Sequence, residues 1–273
     1  MTINDDGLLQ EAIGAALQAG IKILEVYDRE DFEVSLKSDD SPLTLADRLA
    51  HTTITGLLAE TGLPILSEEG RDIPFMERQG WNRFWLVDPL DGTKEFISRN
   101  DEFTVNIALI EDGVPVMGVI YAPVPDILYF GTMHRGSRMM ENARNHGSGD
   151  ILREALKIPR ATANRPYRVI ASRSHLNAAT NSFITNHLKD HPAHEMVSRG
   201  SSLKLCMIAE GSADIYPRFG PTMEWDTASG DAIIRAAGGE VVHTDGSGPL
   251  QYNKPDLHNP WFIARGVQIK HEK

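Results

Sequence analysis

The chain has 273 residues, of which 41% are hydrophobic and 24% charged, with a formal net charge of −11 and a single cysteine. That length exceeds the commonest single-domain size and predicts two subdomains sharing an interface. The negative charge opposes nonspecific binding to nucleic acid or to an anionic membrane surface, Cys206 alone excludes an internal disulfide, and no apolar run is long enough for a transmembrane helix.

The first six residues, 1–6, carry no basic segment ahead of an apolar core, so no secretory signal is expected and the protein is placed in the cytoplasm. Peripheral association with the inner membrane is left open. An anionic substrate needs local positive charge, and bound divalent cations would supply it while also explaining clustered acids. Cys206 lies in the apolar run 203–209 and reads as a small buried hydrophobe.

In chain order, Leu9, Ile13, Leu17 and Leu24 recur at helical spacing behind Asp5 as N-cap. A polar stretch over 28–40 precedes a second helix over 43–58, closed by Gly62 and Pro64. Residues 84–87 form a short buried strand that ends at Asp88-Pro89. The runs 104–110, 116–122 and 127–130 form an antiparallel meander. A turn-rich boundary falls over 135–165. Beyond it, strands at 169–172, 196–197, 214–216, 240–243 and 261–264 alternate with helices over 178–188, 202–209 and 227–237. The chain is therefore divided into an N-terminal α+β part over 1–150, which carries most of the acids, and a C-terminal α/β part over 151–273.

The most informative segment is Trp85-Leu86-Val87-Asp88-Pro89-Leu90-Asp91-Gly92-Thr93. A buried strand delivers Asp88 to its carboxyl end, and a tight turn brings Asp91 to the same place. Two converging carboxylates repel one another unless a hard cation sits between them, which suits magnesium. Gly92 lets a phosphate oxygen approach the backbone, and Thr93 offers an amide and a hydroxyl. Taken alone, an Asp-Gly pair marks a surface turn. A second acidic element is Glu68-Glu69, after the apolar residues 63–66, where Glu68 faces inward for a second metal site. A third is Trp225-Asp226-Thr227, at a helix start where Asp226 also fits the pattern of an N-cap. Thr44-x-x-Asp47 matches a capping box.

Asp88-Pro89-Leu90-Asp91-Gly92-Thr93 and Trp225-Asp226-Thr227-Ala228-Ser229-Gly230 resemble the two signature motifs of the inositol monophosphatase family, and Glu68-Glu69 stands where that family has a glutamate pair. The resemblance implies a layered αβαβα sandwich. It also implies Glu68, Asp88, Asp91, Asp226 and the Leu90 carbonyl around two or three magnesium ions, with a Thr93–Asp47 pair orienting the attacking water. One magnesium is assigned to Glu68 and Asp88 and activates that water; another, on Asp88, Asp91 and Asp226, stabilises the leaving oxygen.

The C-terminal part is similar to 3'(2'),5'-bisphosphate nucleotidases of the bacterial CysQ type. Ser172-Arg173-Ser174-His175, Gly200-Ser201-Ser202-Leu203-Lys204 and Tyr216-Pro217-Arg218-Phe219-Gly220-Pro221 carry that likeness. By analogy His175, Ser201, Lys204 and Arg218, with Gly92, Thr93 and Asp226, hold adenosine 3',5'-bisphosphate, and its 5'-phosphosulfate relative is a further substrate in sulfur assimilation and nucleotide recycling. The family also implies sensitivity to lithium, and a homodimer is compatible with it. Ser201 also fits a helix cap. The segment 133–158 departs from the family pattern, so no contacts are carried over there, and the acidic pair Asp101-Glu102 is placed near the substrate. Three alternatives remain: a phosphatase of inositol or sugar monophosphates, a haloacid dehalogenase-type phosphatase with a phosphorylated aspartate, and a noncatalytic metal or nucleotide binder.

Overall fold

A computed structural model describes residues 4–29, 35–36, 42–160, 165–171 and 177–267. Two short strands, β1 (Ser35–Leu36) and β2 (Pro42–Leu43), pair antiparallel. Among the described residues the main sheet has seven strands in spatial order: β3 (Ile65–Ser67), β4 (Arg83–Asp91), β5 (Thr104–Glu111), β6 (Val114–Ala122), β7 (Ile127–Thr132), β8 (Gly136–Glu141) and β9 (Leu156–Ile158). Only its β3–β4 pair is parallel; the rest is an antiparallel meander. A second sheet orders β11 (His194–Val197), β10 (Tyr167–Ile170), β12 (Ile215–Arg218), β14 (Phe262–Arg265) and β13 (Glu240–His243).

The layers follow from the alternation of side chains along the strands. In β4, Trp85 and Val87 face one way, and in β5 so do Val105, Ile107 and Leu109. They share a core with Leu9, Ile13 and Ile23 of α1 (Asp5–Tyr27) and Ala50 and Ile54 of α2 (Leu45–Leu58). Phe84, Leu86, Ala108 and Ile110 face the other way and pack with Leu205 and Cys206 of α7 (Leu203–Glu210) and Ala228 and Ile233 of α8 (Glu224–Ala236). That second core continues into Tyr216 and Phe262 of the five-stranded sheet. Ile184 of α6 (Ala178–His187) covers the outer face of that sheet beside Val169 and Ile215. The result is the αβαβα sandwich expected from the sequence. Strands buried on both faces read as unbroken apolar runs, which is why 84–87 was legible. Gly118 is required here: a Cβ on it would stand 2.1 Å from the Ser229 carbonyl oxygen, so α8 lies directly on β6.

Several expectations shift. The N-cap of α1 is Asn4, whose side chain accepts the Gly7 amide at 2.9 Å, not Asp5. Strand β4 does not stop at Asp88 but runs on to Asp91 through a register shift against β5. The turn-rich stretch after Met133 contains β8, α5 (Ser148–Glu154) and β9, which complete the main sheet. Short helices α3 (Phe75–Arg78) and α4 (Thr93–Ile97) flank β4. Among the described residues no helix is long and apolar enough to cross a membrane.

Candidate active site

The parity of β4 decides where its acids go. Asp88 follows Phe84 and Leu86 onto the inner face, opposite Asn106 of β5, and it is 1% exposed. The register shift between Asp88 and Asp91 lets the strand bend so that Asp91 reaches the same space. Asp226 arrives from the other part of the chain. It is the third residue of α8, not its N-cap, and its Oδ2 accepts the Met223 amide at 2.8 Å. One ligand oxygen from each of Asp88, Asp91 and Asp226 lies within 4.8 Å of the others. Glu68 stands outside that trio but hydrogen-bonds Asp88.

Burial raises the Asp88 carboxyl well above its ordinary range, and the charges of Glu68, Asp91 and Asp226 push the same way. Asp226 is pushed up to about 8 by burial and by Asp91. Such crowding is costly in a protein without a compensating charge, and a hard divalent cation is the natural compensation for an all-oxygen donor set. The donors therefore fit magnesium.

Thr93, the first residue of α4, donates its hydroxyl to Asp47 Oδ1 at 3.1 Å, and the Leu90 carbonyl lies 3.4 Å from the same hydroxyl. Asp47 Oδ2 accepts the Thr44 amide at 2.7 Å and the Thr44 hydroxyl at 2.5 Å. Asp47 thus caps α2 with one oxygen and receives the Thr93 hydroxyl with the other. Gly92 has φ +94°, and a Cβ there would meet Ser201 Cβ at 3.2 Å and the Glu102 carbonyl at 3.3 Å, so the turn admits no side chain.

A cavity of about 360 Å³ opens beside the acids, and Lys94, Arg199, Lys204 and Arg218 line it together with Asp91 and Asp226. Burial lowers Lys204 to about 8, opposed by Asp91. Its ammonium donates to the Arg199 carbonyl at 3.3 Å, and Arg218 donates to the Pro221 carbonyl at 2.9 Å. His175 falls outside the described residues. Ser201 lines the cavity, but it does not cap α7, whose N-cap is Ser202. The Ser201 hydroxyl instead reaches Asp91 Oδ2 at 2.8 Å. The acidic pair divides: Glu102 accepts the Gly200 amide at 2.8 Å, whereas Asp101 accepts the Tyr27 hydroxyl at 2.8 Å, tying it to α1.

Sequence reasoning missed Thr104, Asn106 and Ser202, all buried and all joined to Asp91 or its partners. The signal for Asn106 was present as a polar residue inside the apolar run 104–110. For Ser202 there was none beyond its neighbour.

The inositol monophosphatase family model matches residues 4–269. The 3'(2'),5'-bisphosphate nucleotidase CysQ of Salmonella typhimurium is 46% identical over 260 residues, spanning 93% of this chain and 98% of its own length. The crystal structure of CysQ from Bacteroides thetaiotaomicron superposes with a TM-score of 0.87 at 49% identity, covering 94% of this chain and 96% of that one. The extragenic suppressor protein suhB of Bartonella henselae superposes with a TM-score of 0.72 at 25% identity, over 95% and 94% of the two chains.

Proposed function

The chain belongs to the inositol monophosphatase family, and from that premise we propose that it is a magnesium-dependent 3'(2'),5'-bisphosphate nucleotidase, converting adenosine 3',5'-bisphosphate to AMP and phosphate. The observation that carries this reading is the convergence of Asp88, Asp91 and Asp226, the last two on the wall of a cavity whose other lining residues include four cations. Relatives bearing that activity in their names support the substrate, at 44–46% identity for several of them. Family membership sets aside the haloacid dehalogenase reading. The division into a part over 1–150 with the other metal-binding carboxylates and a part over 151–273 with the specificity residues and the last metal ligand, Asp226, belongs to the same proposal.

Asp88, Asp91, Asp226, Glu68 and the Leu90 carbonyl would hold two or three magnesium ions, which supply a Lewis acid for phosphoryl oxygens and lower the pKa of water. The rest is the chain's own work. The donors to Asp47 include Thr44 N, Thr44 Oγ1 and Thr93 Oγ1, so the Thr93 proton points at Asp47 and its oxygen is left to accept a hydrogen bond from the attacking water. That water is thereby oriented, and its proton has a path through Thr93 to a carboxylate. Lys204 and Arg218, with Arg199 at the rim, meet the second phosphate, which an inositol monophosphate lacks.

Phosphate release from adenosine 3',5'-bisphosphate and from inositol 1-phosphate tests the substrate. Losing the contacts to one phosphate costs about 3 kcal/mol, so kcat/KM should favour the nucleotide on the order of a hundredfold. A preference for inositol 1-phosphate would assign the chain to the monophosphatases of the family.

A further inference from the structure

Asp91 is held differently from the other two carboxylates of the trio. Asp88 and Asp226 each accept a backbone amide from a residue two or three positions away, Leu90 at 3.1 Å and Met223 at 2.8 Å. Asp91 Oδ2 accepts the hydroxyls of Ser201 at 2.8 Å and Ser202 at 2.7 Å, 110 and 111 residues downstream, and Asn106 Nδ2 faces it at 3.4 Å. Thr104, Asn106 and Ser202 are 0%, 1% and 3% exposed. Among the described residues no protein donor reaches Asp91 Oδ1.

Each hydroxyl has one proton, so the bonds can be assigned. Ser202 Oγ accepts from Asn106 Nδ2 at 2.8 Å and lies 2.7 Å from Asp91 Oδ2 and 3.0 Å from the Asp226 carbonyl. Its proton goes to the nearer, charged acceptor. Ser201 Oγ accepts the Ser202 amide at 2.6 Å. With its own proton on Asp91, the 2.6 Å contact to Thr104 Oγ1 takes the Thr104 proton in preference to the more distant Asn106 Oδ1 at 3.0 Å. Two O–H groups thus converge on one oxygen of a single carboxylate, backed by an amide and a third hydroxyl.

We infer that Ser202 and Ser201, supported by Asn106 and Thr104, form a positioning clamp that turns Asp91 Oδ2 toward the protein and presents Oδ1 alone to the cation. The clamp crosses the fold, because Asp91 comes from β4, Thr104 and Asn106 from β5, and the serines from the start of α7. Metal affinity is thereby coupled to the contact between the main sheet and the central helix layer. The Ser201 hydroxyl, which family resemblance gives to the substrate, is engaged by a ligand carboxylate instead.

This inference rests on the reading of the trio as a cation site, and the test separates the two. Magnesium alone is titrated calorimetrically into the metal-free protein, and phosphate release is then measured over a magnesium series. Removing a partner that orients a metal ligand weakens binding about tenfold or more. Ser202→Ala should therefore show that loss in calorimetry and the same rise in the magnesium needed for half-maximal rate. Its kcat at saturating magnesium and its KM for the nucleotide should stay within about twofold of wild type. Ser201 has φ +51°, so Ser201→Gly suits the backbone and gives a second variant, affected in the same direction, whose folding is not strained. Unchanged magnesium affinity in both variants with a raised KM for nucleotide would overturn the clamp and return the serines to the substrate. Wild-type protein that binds no magnesium would overturn the metal reading itself.

Discussion

The first turns of α8 carry three acids with opposite fates, two fully buried and one, Asp226, partly exposed. Glu224, 0% exposed, meets Lys254 Nζ at 2.5 Å and the amides of Asn253 and Lys254 at 2.6 and 3.0 Å. Asp231, also 0% exposed, meets Arg235 Nε at 2.6 Å and the Tyr252 hydroxyl at 2.9 Å. Asp226 lies between them and has no Lys or Arg within ion-pair distance among the described residues; its neighbours are Asp88 and Asp91. Burial raises all three carboxyls, Asp231 to about 6 and Asp226 to about 8, with Lys254 opposing the rise at Glu224 and Arg235 opposing it at Asp231. A buried acid that the chain neutralises itself is architecture. One left among like charges is arranged for a cation from outside.

The largest effect expected from this contrast is on turnover. Asp91→Asn preserves shape and removes a ligand charge, so the loss of several kcal/mol of transition-state stabilisation should lower kcat by about a thousandfold or more. Circular dichroism should show an intact fold, and near wild-type rates with magnesium would break the comparison.

The next effect is on stability and has opposite signs at the two aspartates. Asp231→Asn leaves Arg235 half-buried without its counter-charge and should cost roughly 2–3 kcal/mol in urea unfolding. Asp226→Asn in chelator should instead stabilise the metal-free protein by about 1 kcal/mol, because it relieves repulsion with Asp91. Equal destabilisation by both changes would erase the distinction.

The smallest effect is a pH-dependent shift in Tm. The folded Asp226 carboxyl at about 8 lies above its ordinary 3.8. Its contribution to metal-free stability is therefore full below about pH 4 and lost as pH rises through about 8. Magnesium replaces the lost protons, so the rise in Tm that it produces should grow by a few degrees from about pH 5 to about pH 8. A rise that is flat across that range would place the bound metal elsewhere.

The residues that were legible in the sequence are those whose chemistry and position coincide. Asp88 and Asp91 end an apolar strand, and Asp226 opens a helix that glycines terminate, so strand, turn and helix signals all pointed to the same acids. The Thr44–Asp47 cap was equally plain, because capping is local. The clamp was not, because its bonds join residues more than ninety positions apart, as Ser202 and Asn106 are separated by 96. They meet only because α7 packs on α8, which itself lies against β5. The same limit hid β8 and β9: their short strands gain stability from neighbours in the sheet, and the turn formers around them dominate the local pattern.

Anomalous diffraction from crystals grown with manganese in place of magnesium tests the central claim most directly. The account expects metal peaks between the carboxylates of Asp88, Asp91 and Asp226, with Asp91 bound through Oδ1. Manganese bound away from those three side chains, with the trio left empty, would contradict it.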